Sequence, residues 1–267
     1  MGLIDHDYHV LSSFKIAYLL LLAATLCYAD KGYICSRATY YGSPDCLGNP
    51  RGACGFGEYG RTVNNGVVSG VSSRLYMNGS GCGACYQVRC KNLAVCSEDG
   101  TKVIVTDYGE GHNTDFILSV AGFSSLAASP NMASELFQYG VLDVEYRRIP
   151  CHHDGHNLML KVHEGSSFPN YLAILAIYQA GACDITAAQV WVEDWKEWRD
   201  MRRAYGAVWD LQNPPRGSGA FLIIRIQLTS GDGNDDDDEL INKWMDIPSV
   251  IPAFWKPGVA YDTGTQL

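Results

Sequence analysis

Apolar and polar residues alternate in short runs along most of this chain. Ala84-Cys85-Tyr86-Gln87-Val88-Arg89, Lys102-Val103-Ile104-Val105-Thr106 and Leu142-Asp143-Val144-Glu145-Tyr146-Arg147-Arg148-Ile149 show the period-two pattern of half-buried strands. Glycine-rich turns separate such runs from residue 36 to about Pro150, which predicts an all-β barrel or sandwich. Helical spacing is confined to two places: Phe123, Leu126 and Ala127 stand at i, i+3 and i+4 within Val120–Ala127, and a second short helix is expected over Asn131–Phe137. Past Cys151 a polar connector leads into a second set of runs, Leu158–His163, Tyr171–Tyr178, Ala188–Trp195 and Phe221–Leu228. These predict a compact β-sandwich of about 100 residues. Trp191 alternates with Val190 and Val192, and at least one of Trp191, Trp195 and Trp198 is expected to fill its core.

Near the N-terminus the alternation gives way to an unbroken apolar stretch, Phe14–Ala29, which ends in the small-residue signal Cys27-Tyr28-Ala29. It is short for a membrane span and reads as a cleaved secretory signal; Asp5 and Asp7 ahead of Lys15 are atypical of such a signal, so a retained anchor is the alternative. The 267 residues, 47% of them hydrophobic, suffice for two modest cores. The expected division is a signal over 1–29, a barrel over 30–151, a linker over 152–156 and a sandwich over 157–267.

Secretion changes the meaning of the cysteines. Ten are present, and Cys27 leaves with the signal, so nine meet an oxidising compartment that pairs them. Nine is odd, and Cys183, alone in the second half, is the candidate to be left over. Cys82-Gly83-Ala84-Cys85 has the spacing of half a zinc site or a redox pair, but no matching second pair exists, which favours disulfides. His152, His153 and His156 read as a solvated linker. Asp232-Gly233-Asn234-Asp235-Asp236 opens like a calcium loop, yet Asp237 stands where the loop needs glycine and Lys243 where it needs glutamate. No metal and no cofactor is therefore expected. Asn78-Gly79-Ser80 is an acceptor sequon for glycosylation. The net charge of −9 becomes −8 without the signal, and six of those charges sit in Asp232 and the run Asp235–Glu239, read as a solvated hairpin tip. The remainder is near neutral, which excludes a nucleic-acid partner.

Several blocks in one order resemble the plant expansins, and most closely their expansin-like B group. They are Ala38-Thr39-Tyr40-Tyr41-Gly42, Gly52-Ala53-Cys54-Gly55-Phe56-Gly57, Cys82–Cys90, Val105-Thr106-Asp107, Val141–Cys151, Pro169–Ile174 and Tyr205-Gly206-Ala207-Val208-Trp209. The resemblance covers almost the whole mature chain. It implies a six-stranded double-psi β-barrel, related to family-45 glycoside hydrolases, followed by an immunoglobulin-like sandwich that binds wall polysaccharide. It also implies the disulfides Cys54–Cys82, Cys85–Cys151 and Cys90–Cys96, which spacing alone does not select, since six cysteines allow fifteen pairings. Cys35 and Cys46 are a further candidate pair.

The site follows from the same resemblance. Hydrolysis of a glycosidic bond ordinarily uses two carboxyl groups. In expansins the proton-donor position is a His-Phe-Asp sequence followed by Leu-Ser; here the segment is Asp115-Phe116-Ile117-Leu118-Ser119, so Ile117 stands at the family's aspartate. Asp107 corresponds to an earlier groove aspartate and is the candidate functional acid. Asp115, two residues before Ile117, would share the groove if that segment were extended. Thr39, Tyr41 and Tyr108 are the other expected groove residues, and Tyr171, Tyr205 and Trp209 the expected carbohydrate platform, because a pyranose lays its C–H face on an aromatic ring. The leading reading is a secreted, monomeric plant cell-wall protein that binds cellulose or a matrix glycan such as xyloglucan and loosens the wall without cutting it. The alternatives are a weak endoglucanase using Asp107 with Asp115 or Glu110, and a wall lectin in which only the sandwich matters.

Overall fold

The computed structural model describes residues 32–42, 52–215, 221–230 and 242–267. The signal segment 1–29, Cys46 and the acidic run 232–239 lie outside them. In the first half, strands β1 (Ile34–Tyr40), β2 (Val68–Val71), β3 (Cys85–Cys90), β4 (Thr101–Tyr108), β5 (Phe116–Leu118) and β6 (Leu142–Ile149) close a barrel in the order β1-β5-β2-β4-β3-β6. The pairs β1–β5 and β2–β4 are parallel and the others antiparallel. The alternation read from sequence supplies the lining: Ala38, Val88, Val103, Val105, Phe116, Leu118, Val144 and Tyr146 are buried in one cluster.

Short helices close the barrel's flanks: α1 (Glu58–Thr62), α2 (Ser73–Tyr76), α3 (Val120–Ser124) and α4 (Pro130–Tyr139). Ser119 caps α3, its Oγ accepting from the Gly122 N–H at 2.9 Å, a bond that satisfies one orphan donor of the first turn. The helix expected over 120–127 stops at Ser124, because Ala127 is drawn into an isolated bridge with Cys96. The second helix starts one residue earlier than expected, on Pro130, and runs two residues further, to Tyr139 before Gly140, whose φ of 68° ends it.

The second half is a sandwich. Strands β7 (Met159–Val162), β8 (Tyr171–Ile177), β9 (Cys183–Val192), β10 (Glu197–Asp200), β11 (Arg202–Tyr205), β12 (Val208–Gln212), β13 (Phe221–Ser230), β14 (Lys243–Pro252) and β15 (Ala260–Asp262) form sheets β10-β9-β13-β14 and β11-β12-β8-β7-β15. Leu160, Leu172, Ile174, Val190, Ile224, Ile226 and Ile251 fill the space between them. The tryptophans expected there are elsewhere. On β9 the inward positions are Ala188, Val190 and Val192, so alternation turns Trp191 outward, where its ring meets Trp198 at 5.4 Å. Trp195 is 63% exposed. Arg225 lies over both Trp198 and Trp244, at 4.2 and 4.5 Å from the ring centroids. Trp209 and Trp255 take the core places instead.

Disulfides Cys54–Cys82, Cys85–Cys151 and Cys90–Cys96 are all present, and Cys35 is also disulfide-bonded. Cys183 is half-buried at the start of β9, its carbonyl accepting from Gln179. The connector that follows Cys151 is not simply solvated: the His156 ring stacks on Tyr178 at 4.0 Å, and His153 lies against the Gln179 carbonyl at 3.2 Å.

The two halves meet over a packed junction. Leu175 and Ile177 of β8 belong to the barrel's cluster. Gly79 and Gly206 touch backbone to backbone, and a Cβ on Gly79 would stand 2.3 Å from the Gly206 carbonyl oxygen. Arg148 of β6 donates to Asp184 of β9 at 2.6 Å, with side chains only 8% and 10% exposed. Removing one partner of such a pair leaves a charge buried without its counter-charge, so Asp184→Ala is expected to cost roughly 3–5 kcal/mol. Urea denaturation followed at once by fluorescence and far-UV signals measures this; a loss under about 1 kcal/mol would place the pair among exposed ones.

Candidate functional site

Four positions line up across the barrel sheet. Thr39 of β1 is in register with Ile117 of β5, Ile117 with Gly70 of β2, and Gly70 with Asp107 of β4. Asp107, 5% exposed, ends the row. Its Oδ1 accepts from the backbone N–H of Ala53 at 2.5 Å and of Tyr108 at 2.8 Å, and its Oδ2 from the Tyr41 hydroxyl at 3.1 Å. Tyr41 reaches it by crossing Gly70, where a Cβ would stand 2.1 Å from the Tyr41 oxygen; only glycine leaves that path open. Burial, and secondarily Asp107 itself, push the Tyr41 phenol far above its ordinary pKa, so it stays a neutral donor.

The rest of the groove is aromatic or aliphatic. Tyr108 is 40% exposed, donates to the Glu110 carboxylate and leans on the Tyr76 ring at 5.2 Å. Tyr76 donates to the Ala53 carbonyl at 3.1 Å. Sequence reading missed Tyr76: nothing local marks it, and only the fold brings α2 beside the end of β4. Thr39 is half-buried and donates its hydroxyl to the Gly140 carbonyl at 2.8 Å. Ile117 lies over Gly109, whose Cβ would meet the Ile117 Cδ1 at 2.3 Å. An aliphatic side chain thus occupies the floor between Thr39 and Asp107.

Asp115 does not join Asp107. Its carboxylate accepts from Ser36 Oγ at 2.5 Å, from Ser72 Oγ at 2.6 Å, and from Arg74 Nε at 3.0 Å with a second bond from Arg74 Nη2. Ser36 shares its face of β1 with buried Ala38, whereas Thr39 lies on the other face. Asp115 precedes β5, and the segment 111–114 turns back on itself through a Gly111–Thr114 bridge, so the strand alternation expected to carry Asp115 into the groove does not reach it. Glu110 is exposed and is held by Tyr108.

On the sandwich, Tyr171 of β8 is in register with Gln212 and the outward Ala173 with Asp210. Tyr171 donates to Asp210 Oδ2 at 3.0 Å, and Arg202 forks onto the same carboxylate at 3.0 and 2.7 Å. Tyr205, 46% exposed, bonds His163 Nε2 through its hydroxyl at 2.9 Å. Both tyrosines therefore have their tips fixed by neighbours. Trp209 is not on that surface: it is 7% exposed, faces the core, and Arg203 lies over its ring at 4.2 Å. It alternates with Val208 and Asp210, which are buried on the opposite face of β12, and a ring covered on both sides offers no face to a sugar.

Residues 158–252 match the family model described as Expansin C-terminal domain, and residues 68–146 match one described as Lytic transglycolase. The chain is 52% identical over 259 residues to Expansin-like B1 of Arabidopsis thaliana, spanning 97% of this chain and 98% of that one. The chain belongs to the expansin family. To Expansin-like B1 of Oryza sativa subsp. japonica it is 40% identical, with 93% of each chain covered. This expansin also shares its fold with the crystal structure of the apo Clavibacter michiganensis expansin, at a TM-score of 0.60 and 18% identity over 88% of this chain and 97% of that one. A mutant of that bacterial expansin, crystallised in complex with cellohexaose, superposes with a TM-score of 0.59.

Two expectations follow from the carboxylates. Burial works to raise the Asp115 pKa, but the bonds from Arg74, Ser36 and Ser72 outweigh it and hold the group below the ordinary carboxylate range. A depressed pKa contributes stability above the unfolded value of about 3.9, and that contribution is lost as pH falls through the lower folded value. Asp115→Asn is therefore expected to destabilise the protein at pH 7 and to differ little from the parent at the acid end. Urea midpoints across that range measure it, and an equal penalty at every pH would mean the clamp is not electrostatic. At Asp107, replacement by Ala leaves the Ala53 and Tyr108 N–H groups unsatisfied, with an expected loss of about 1–3 kcal/mol, read by the same titration; no loss would mean that water replaces the carboxylate without cost.

Proposed function

We propose that this protein is a secreted wall protein that lays a β-1,4-linked glycan along Tyr171, Tyr205 and the barrel groove and loosens its packing without cutting it. The observation that carries this reading is the carboxylate inventory. Inverting hydrolysis needs an acid and a base facing each other across the bond, and retaining hydrolysis needs a closer pair. Asp107 is held by three donors of the fold, Asp115 is spent on Arg74, and Ile117 has no ionisable group. What remains is a rigid acceptor among Tyr41, Tyr76 and Tyr108, which orients hydroxyl groups rather than delivering protons. The complex of the bacterial relative with cellohexaose supports a cellulose-like ligand, and family membership supports an extracellular, wall-bound location.

The test is constant-load extension of heat-killed wall strips with released sugar assayed in the same bath. Extension without sugar is the expected result; release of reducing ends that Asp107→Asn abolishes would establish an endoglucanase instead. If extension is absent while cellulose pull-down persists, the lectin reading stands. Tyr171→Ala and Tyr205→Ala are each expected to weaken pull-down about tenfold, ~1.4 kcal/mol, whereas a loss confined to groove variants would take the sandwich out of the binding surface.

A further inference from the structure

Beside Tyr205 the domain junction opens into a cleft of about 460 Å³, within the ~300–1,000 Å³ typical of small-ligand sites. The side chains lining it are Glu58 and Arg61 from α1, His163 and Glu164 from the β7–β8 loop, and Tyr205; the other lining residues are glycines. No aliphatic residue lines it, so its recognition chemistry is hydrogen bonding plus the rings of His163 and Tyr205.

Its charges are matched. Glu58 faces Arg61 at 3.4 Å, and Glu164 faces Lys161 at 2.5 Å. Burial works to raise the Glu164 pKa, and the Lys161 bond more than offsets it, so the carboxyl lies below its ordinary range and remains the counter-charge of Lys161. His163 Nδ1 accepts from the Gly165 N–H at 2.9 Å, which places the proton of the neutral ring on Nε2, toward the Tyr205 oxygen. The walls thus present guanidinium donors and carboxylate acceptors without surplus charge. Sugar hydroxyls both donate and accept and suit such walls; an acidic sugar would need an unmatched cation. Tyr205 belongs to both the cleft and the outer face that carries Tyr171, so a polymer lying on the tyrosines passes the cleft's mouth, and what enters from there projects sideways from the polymer.

We infer that this cleft receives a neutral glycosyl branch of a β-1,4-linked glycan and so sets a preference for branched over unbranched chains. The inference rests on the binding reading above. Calorimetry on the intact mature protein tests it, with cellohexaose and a cello-oligosaccharide of the same backbone length bearing xylosyl branches as probes. The parent is expected to bind the branched probe about tenfold more tightly. Glu58→Ala and Arg61→Ala remove side chains that are 71% and 42% exposed, and each is expected to cut that preference to below about threefold with cellohexaose affinity unchanged. Tyr205→Ala is expected to weaken both probes. Equal affinities in the parent, or a preference that survives both α1 variants, would overturn the branch pocket while leaving glycan binding intact. Failure of both probes to bind would overturn the binding reading itself and the pocket with it.

Discussion

Strand β8 is buried on both faces, and the arrangement of the molecule depends on it. Leu172 and Ile174 point into the sandwich core, while Leu175 and Ile177 complete the barrel's cluster. One strand serving two cores leaves little freedom between them, because sliding either domain would expose apolar side chains, each worth roughly 1.5–3 kcal/mol when fully buried. The Arg148–Asp184 pair and the Gly79–Gly206 contact add direction to that constraint: a buried ion pair and a backbone contact tolerate few alternative geometries. The barrel groove and the sandwich tyrosines therefore form one surface, and Tyr205 sits where they join.

Within that surface the carboxylates have separate duties. Asp107 ties the Ala53 backbone to the end of β4 and takes the Tyr41 hydroxyl. Asp115 ties β1, β2 and α2 together through Ser36, Ser72 and Arg74. Both are acceptors held in place by several bonds from the fold. The geometry of both carboxylates is therefore fixed by the fold itself. The sandwich repeats the device, since Asp210 and His163 hold the tips of Tyr171 and Tyr205 and limit the ring rotation that would otherwise oppose stacking on a sugar.

Much of this was legible in the chain because strand alternation is a local property. The runs at Cys85–Cys90, Thr101–Tyr108 and Leu142–Ile149 became barrel strands with the inward residues their pattern implied. The same rule, followed strictly, places Trp191 outside; size and apolarity had suggested the core, and alternation prevailed. Trp209 went the other way, its family position suggesting a surface and its register placing it inside. The unbroken apolar run of β8 was itself a signal of burial on both faces, but it does not say which second surface covers it.

The sequence by itself determined the two β domains and their order, and it singled out Asp107 as the leading candidate acid, with Asp115 and Glu110 as its possible companions and an isoleucine at 117. These follow from residue type, periodicity and resemblance, none of which needs distant parts of the chain to meet. Tertiary structure alone decided that Asp115 serves Arg74, that Tyr76 joins Tyr108, and that α1 and the β7–β8 loop enclose a cleft beside Tyr205. Those are contacts between segments from 32 to more than 100 residues apart, and which of many possible partners a polar side chain finds depends on how the two cores dock, a global outcome that no local pattern encodes.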